Sequence, residues 1–289
     1  MKKANRIAVI FGAALCLGLP STSMGQNLAD WKVDAPPDTV QLVSVKPTEP
    51  ATLESVTFTF KNISSKTILA FSVFLLDENG TDIGGTGLRS FYKENKPIDP
   101  GAPLIAIFSK RNLPSGNQSV HGLRFEAIVY TDGTQVGSRL WLEEIENEIL
   151  GAALETKRDA DFLATSTDPS VAGLDAVLVK VGTFPETGKE AAIELRGIEL
   201  PGIPSAFIDA RLKNPEYGLV QGIRGVRSTL LREIARKKAI AKLSQADSKV
   251  PQSLIDQAQS YGLSDIANEY RIQSETLTEY AHAFMVAGD

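Results

Sequence analysis

Cysteine is almost absent from this 289-residue chain: the single one, Cys16, falls within the first 25 residues. With that stretch cleaved off, the remainder holds no disulfide, no thiolate nucleophile and no cysteine metal ligand. Histidine is scarce as well. His121 and His282 stand far apart in the chain and read as surface or rim residues. There is no H-E-x-x-H, no zinc-ligand spacing and no P-loop, and no G-x-S-x-G elbow marks a nucleophile. No metal site, cofactor or catalytic set is therefore expected. Beyond the first 25 residues no apolar run approaches the roughly 20 needed to span a bilayer. A formal net charge of −5 argues against nucleic acid as a general partner.

The N-terminus has the three zones of a secretory signal. Lys2, Lys3 and Arg6 precede an uncharged apolar stretch from Ile7 to Leu19. Pro20 breaks that stretch, and Ser21-Thr22-Ser23-Met24-Gly25 supplies small residues for cleavage before Gln26. The apolar stretch is too short for a membrane span. Residues 1–25 are thus expected to direct export, leaving a periplasmic or extracellular product of residues 26–289. That length suffices for one large domain or two small ones, and a core of that size can dispense with disulfides.

After a polar leader, 26–37, residues 38–137 read as β-structure. Val56, Phe58 and Phe60 alternate with Thr57, Thr59 and Lys61, the period of a half-buried strand. The run Ile68–Leu76 is apolar on both faces, with Ile68, Ala70 and Phe74 assigned to one and Leu69, Phe71, Val73 and Leu75 to the other. Asp77-Glu78-Asn79-Gly80 closes it as a hairpin turn. A strand follows over Pro103–Ser109. In the next, Leu123, Phe125, Ala127 and Val129 alternate with Arg124, Glu126, Ile128 and Tyr130 before the turn Thr131-Asp132-Gly133-Thr134. Short strands punctuated by turns predict an antiparallel immunoglobulin-like sandwich. A strand apolar on both faces needs a cover on its outer side, and the helix that follows the last strand is the expected one.

From Ser138 the period becomes helical. Leu142, Ile145, Ile149 and Ala152 form the stripe of an amphipathic helix reaching about Leu163. Asp168-Pro169 predicts a cap and first turn for a second helix to about Val181. Residues 182–218, rich in glycine and proline, read as a loop-rich connector with a small hairpin near Ile193–Leu200. A long helix is expected over Leu219–Gln245, then two more near 251–260 and 263–286. The fold class predicted is α+β: an N-terminal sandwich followed by a mainly helical region, 138–289.

The most specific charge feature is the long helix. Arg224, Arg227, Arg232, Arg236, Lys237, Lys238, Lys242 and Lys249 are opposed there only by Glu233 and Asp247. In an acidic protein such an inversion suits an anionic partner: an unidentified protein, a wall polymer or lipid headgroups. The competing expectation is an internal pairing with the first helix, which carries Glu143, Glu144, Glu146, Glu148, Glu155, Asp159 and Asp161. Gly218, Gly222 and Gly225 would allow close helix packing. Asp77–Asp82 lacks the glycine and glutamate positions of a calcium loop. Asn62-Ile63-Ser64 and Asn117-Gln118-Ser119 match the glycosylation sequon by chance.

The stretch from Val56 to Ile68, with its F-x-N-x-S-x-K-x-I turn, and the segment Ile128–Thr134 running into Trp141 resemble exported bacterial proteins of unassigned function built on an immunoglobulin- or fibronectin-like sandwich. The resemblance covers about 100 residues. It implies a fold and a compartment, and it brings no catalytic residues. The expectation is a non-enzymatic binding or scaffold protein of the cell envelope. Two alternatives stay open: an envelope hydrolase acting on glycan or peptide through carboxylates, and a peripheral binder of anionic membranes through the basic helix.

Overall fold

The computed structural model describes residues 31–47, 55–84, 89–90, 96–109, 120–186, 188–213, 217–245, 251–253, 256 and 261–288. The expected signal, Cys16, Lys249, Asn117 and most of the helix expected over 251–260 lie outside them. The protein is mixed α+β, strands first and helices after. No helix among the described residues is long and apolar enough to cross a membrane.

Among the described residues, nine strands form two sheets. In the first, β1 (Lys32–Asp34), β8 (Gly122–Tyr130), β4 (Ile68–Leu76) and β5 (Asp82–Gly84) lie side by side, with β6 (Arg89–Ser90) on β4 and β9 (Gln135–Gly137) on β8. The second sheet runs β2 (Val40–Pro47), β3 (Ser55–Asn62), β7 (Pro103–Ser109), all antiparallel. The two sheets share one core. Phe58 and Phe60 of β3 and Leu104 and Phe108 of β7 meet Phe71, Val73, Phe125 and Ile128 of the first sheet. Phe60 packs edge-on against Phe125 at 4.9 Å, and Trp31 against Phe58 at 5.1 Å. Rings at this spacing add to their area burial. Residues 32–34, read as polar leader, instead form the edge strand β1, parallel to β8.

Strict alternation misassigned the faces of β4 and β8. The pairing slips between Ile68 and Ala70, and again between Ser72 and Val73. Each slip is a bulge that inserts one unpaired residue and reverses the facing of the residues after it. Leu69 is the extra residue in β4 and Glu126 in β8. Ile68 thereby joins Phe71, Val73 and Leu75 in the inter-sheet core, and Ile128 and Tyr130 face inward with Leu123 and Phe125. Leu69, Ala70, Ala127 and Val129 face the other way, into the helical core.

The cover expected for that outer face is there. Helix α1 (Arg139–Ala164) leaves β9 almost directly and lies on β4 and β8, and Trp141 packs on Phe74 with ring centroids 4.8 Å apart. Its opposite side packs against α5 (Tyr217–Gln245) and the last helix, α6 (Leu263–Gly288), its two most extensive partners. Fifteen of its residues are buried, from Ile145 to Leu163. α1 is buried on most of its circumference, polar residues such as Asn147, Glu155, Arg158 and Asp159 included, and is the hub of the molecule.

Three further helices lie among the described residues: α2 (Val171–Gly182), α3 (Gly188–Arg196) and α4 (Ser205–Lys213). The N-cap of α2 is Ser170, whose hydroxyl accepts from Gly173 N at 3.1 Å, while Asp168 caps the cap by accepting from Ser170 N at 2.9 Å. The start therefore lies two residues beyond the expected Asp168-Pro169 pair. No hairpin forms near 193–200. Glycine and proline punctuate this segment rather than dissolve it: Gly188 opens α3, Gly197 follows its end, Gly202 turns the chain at φ 82°, and Pro204 precedes α4.

Candidate functional site

The basic helix divides into two populations along α5. On the side facing its neighbours the cations are spent internally. Arg227 reaches Glu155 of α1, Nε to Oε1 at 2.8 Å, and donates Nη1 to the carbonyl of Phe184 at 2.7 Å. Its other partner is Glu186 at 3.2 Å. Arg224 pairs with Glu186 at 2.6 Å. Lys238 pairs with Asp175 of α2, and Lys237 donates to the carbonyl of Tyr261. The anticipated counter-charge of α1 therefore supplies Arg227 alone among these groups; Arg224 and Lys238 find theirs on α2 and the loop after it.

Arg232 and Arg236 form the second population. They are one helical turn apart and exposed; Arg236 lies near enough to Glu233 to pull its carboxyl downward. The Arg232 guanidinium folds back on its own helix, to Ser228 O and to Thr229 Oγ1 at 3.2 Å each. Lys242 is exposed nearby. Small side chains, Ala235 and Ala239, separate these cations. The apolar side of α5, Leu219, Ile223, Val226, Leu230 and Ile234, is consumed in the helical core. What α5 offers to the outside between 224 and 242 is thus mainly charge and small side chains, its exposed large apolar residues, Tyr217 and Leu243, standing at its two ends.

Beneath it lies a buried ionic cluster that charge counting in the sequence does not reveal. Glu155 receives Arg158 of its own helix as well as Arg227. The side chains of Glu155 and Arg227 are 0% and 5% exposed. Arg158 also donates Nη1 to Pro185 O at 3.3 Å, lies 3.5 Å from Glu194, and stacks over the Phe184 ring at 4.6 Å. The cluster pins the α2–α3 connector onto α1 and α5. The only signal in the sequence was Glu155-x-x-Arg158-Asp159 on a helix that the apolar stripe said was buried.

A second polar cluster joins α5 to the start of α6. Tyr261 donates its hydroxyl to Glu269, and Gly262 N donates to Asp265 Oδ2 at 2.6 Å. Partial burial, and then the neighbouring Glu269, push the Glu233 carboxyl upward. Burial lowers the Lys237 ammonium against the pull of Glu233, Asp265 and Glu269.

The remaining candidates do not converge. His121 precedes β8 and His282 lies on α6 against the turn at Gly202; both are exposed. Asp77 accepts from Asn79 N and Thr81 N at 2.9 and 2.8 Å, a local turn. Asn62 is wholly buried, and both ends of its amide are engaged, by Lys66 O, Ile98 O and Ser64. It is a structural keystone of the β3–β4 turn and no glycan acceptor in the folded protein. The cavity lined by Glu146, Asn147, Leu150, Phe207, Ala281, Phe284 and Met285 measures about 10 Å3, room for about one water. Among the described residues no three His, Cys, Asp or Glu side chains gather as a metal-binding group.

Comparison with known proteins adds no relative: no family model, no curated protein and no solved structure matches this chain.

Proposed function

We propose that this is an exported, non-enzymatic binding or scaffold protein of the cell envelope, in which the immunoglobulin-like sandwich is the platform and α5 the contact. The observation that carries the reading is the pair Arg232 and Arg236, exposed one turn apart, beside cations of the same helix that are engaged internally. The two facing sheets with a single aromatic core support the platform, and the N-terminal pattern of charge, apolar stretch and small residues supports export. The partner is an anionic polymer or an acidic protein segment, held by charge-assisted bonds that guanidinium makes well to carboxylate and phosphate. A lipid surface is the weaker fit, because the apolar side of α5 is buried and adsorption would rest on charge alone.

The test is titration of the protein with poly-glutamate and, separately, with vesicles containing anionic phospholipid, at low and raised salt. The reading expects binding to the polymer that weakens steeply with salt and is lost in Arg232→Glu/Arg236→Glu, with circular dichroism unchanged. Polymer binding untouched by the two substitutions, or no binding at all, overturns it. Binding to vesicles alone transfers the site to a membrane role.

A further inference from the structure

We propose that Asp159 is a proton-operated latch: as a neutral acid it lets α1 lie against α5 and α6, and its ionisation loosens that contact. The side chain is completely buried, and neither carboxyl oxygen has a hydrogen-bond partner among the described residues. The guanidiniums that could serve it are committed elsewhere. Arg227 gives Nε to Glu155 and Nη1 to Phe184 O and Glu186. Arg158 bonds Glu155 and turns Nη1 toward Pro185 O and Glu194. Their remaining nitrogens, Arg158 Nε and Arg227 Nη2, make no bond to Asp159.

Charge balance gives the same answer. Three guanidiniums, Arg158, Arg224 and Arg227, are matched by three acids, Glu155, Glu186 and Glu194. A charge on Asp159 would be surplus, one turn from Glu155 on the same face of α1, in a place where an unpaired ion is costly. The groups around it are Glu155 and Arg158 from α1, Arg227 from α5 and Tyr270 from α6, none of which neutralises it by contact. Burial, and after it the Glu155 carboxylate, drive the Asp159 carboxyl well above the ordinary carboxylate range, against the opposing pull of Arg158 and Arg227. Once ionised, the acid either turns Arg158 Nε or Arg227 Nη2 toward itself, straining the bonds those guanidiniums make to Glu155, or moves toward water. Both routes open the contact between the hub helix and its two main partners.

The sign follows from linkage. A carboxyl whose folded pKa is raised contributes its full stability below about pH 4, where both states are protonated, and that contribution is lost as pH rises through the folded value. Within that window the folding constant falls by up to about tenfold per pH unit.

The deciding experiment compares the protein with Asp159→Asn by urea unfolding and amide hydrogen exchange, from about pH 4 to about pH 9. The latch expects the ratio of folding constants, variant over parent, to climb by up to about tenfold per pH unit within the window. Exchange at α1, α5 and α6 amides, corrected for intrinsic rates, should quicken in the parent alone at the upper end. A ratio and an exchange pattern that do not change with pH overturn it. If Asp159→Asn fails to fold, the carboxyl-carbon resonance of Asp159 in the parent decides. A midpoint near the ordinary value of about 4 sinks the proposal. A midpoint well above it, shared by the rise in α1 exchange, upholds it.

Discussion

Arg227 of α5 and Glu155 of α1 meet at 2.8 Å with both side chains excluded from solvent. This is the point at which the charged faces of the two helices touch, and its energetics differ from those of the exposed arginines further along. Taking Arg227 away leaves Glu155 with Arg158 alone and strips the Phe184 carbonyl of its donor, so up to about 3–5 kcal/mol is at stake.

Arg227→Met is accordingly expected to lower stability by up to about 3–5 kcal/mol, whereas Arg232→Ala should stay within about 0.5 kcal/mol of the parent. Urea unfolding of the two variants side by side checks this. Similar costs for both would mean that Arg158 alone satisfies Glu155 or that Arg232 is not the surface group described.

Gly222 is expected to resist any enlargement. A Cβ there would overlap the carbonyl oxygen of Glu148, and one on Gly151 would overlap that of Leu219. Gly222→Ala should therefore cost about 1–3 kcal/mol by forcing α1 and α5 apart. Gly182→Ala, at the last residue of α2 with open space around it, should gain about 0.4–1 kcal/mol. Thermal unfolding of the pair reads out the opposite signs.

Asn62→Ala should destabilise the β-part by about 1–3 kcal/mol, because it leaves the amide of Ser64 without its acceptor and takes one of two donors from each of the carbonyls of Lys66 and Ile98. Loss of amide protection in the turn at 62–67 and at Ile98, ahead of the helices, would locate the damage. Unchanged protection there would remove Asn62 from its keystone role.

The turn after β8 supplies an acid-side expectation. Burial tends to raise the Asp132 carboxyl, but bonds from Thr134 and Lys66 outweigh it and bring it down to about 2. A depressed pKa contributes above the ordinary carboxylate range and is lost as pH falls through the folded value. The Asp132 carboxyl-carbon resonance should titrate near 2, and Lys66→Ala should move it upward. The opposite movement would break the pairing seen at 2.9 Å.

Element boundaries were largely legible. The run 68–76 and the run 103–109 are strands over those same residues, and the long basic helix differs from its expected bounds by two residues at its start. Two things were not legible. The bulges at Leu69 and Glu126 arise from how two strands meet, so alternation along either strand alone assigned Ile68, Ile128 and Tyr130 to the wrong side. The partners of Arg224 and Lys238 are fixed by which helices come to lie together, and no spacing within the sequence singles out Asp175 or Glu186. In 188–213 the fault was one of interpretation: glycine and proline mark helix ends as readily as loops.

Because α1 serves at once as the roof of the first sheet and the central post of the helices, the two parts of this protein have no seam. Leu69, Ala70, Ala127 and Val129 belong to the helical core although they are carried on strands. Recombination that lifted the strands into another gene would carry those four residues into water as a bare apolar patch. The sandwich could travel only with α1 attached or with its outer face repainted in polar residues, and α1 in turn would arrive with unmet surfaces waiting for α5 and α6. Inheritance of this architecture is therefore expected to be all or nothing.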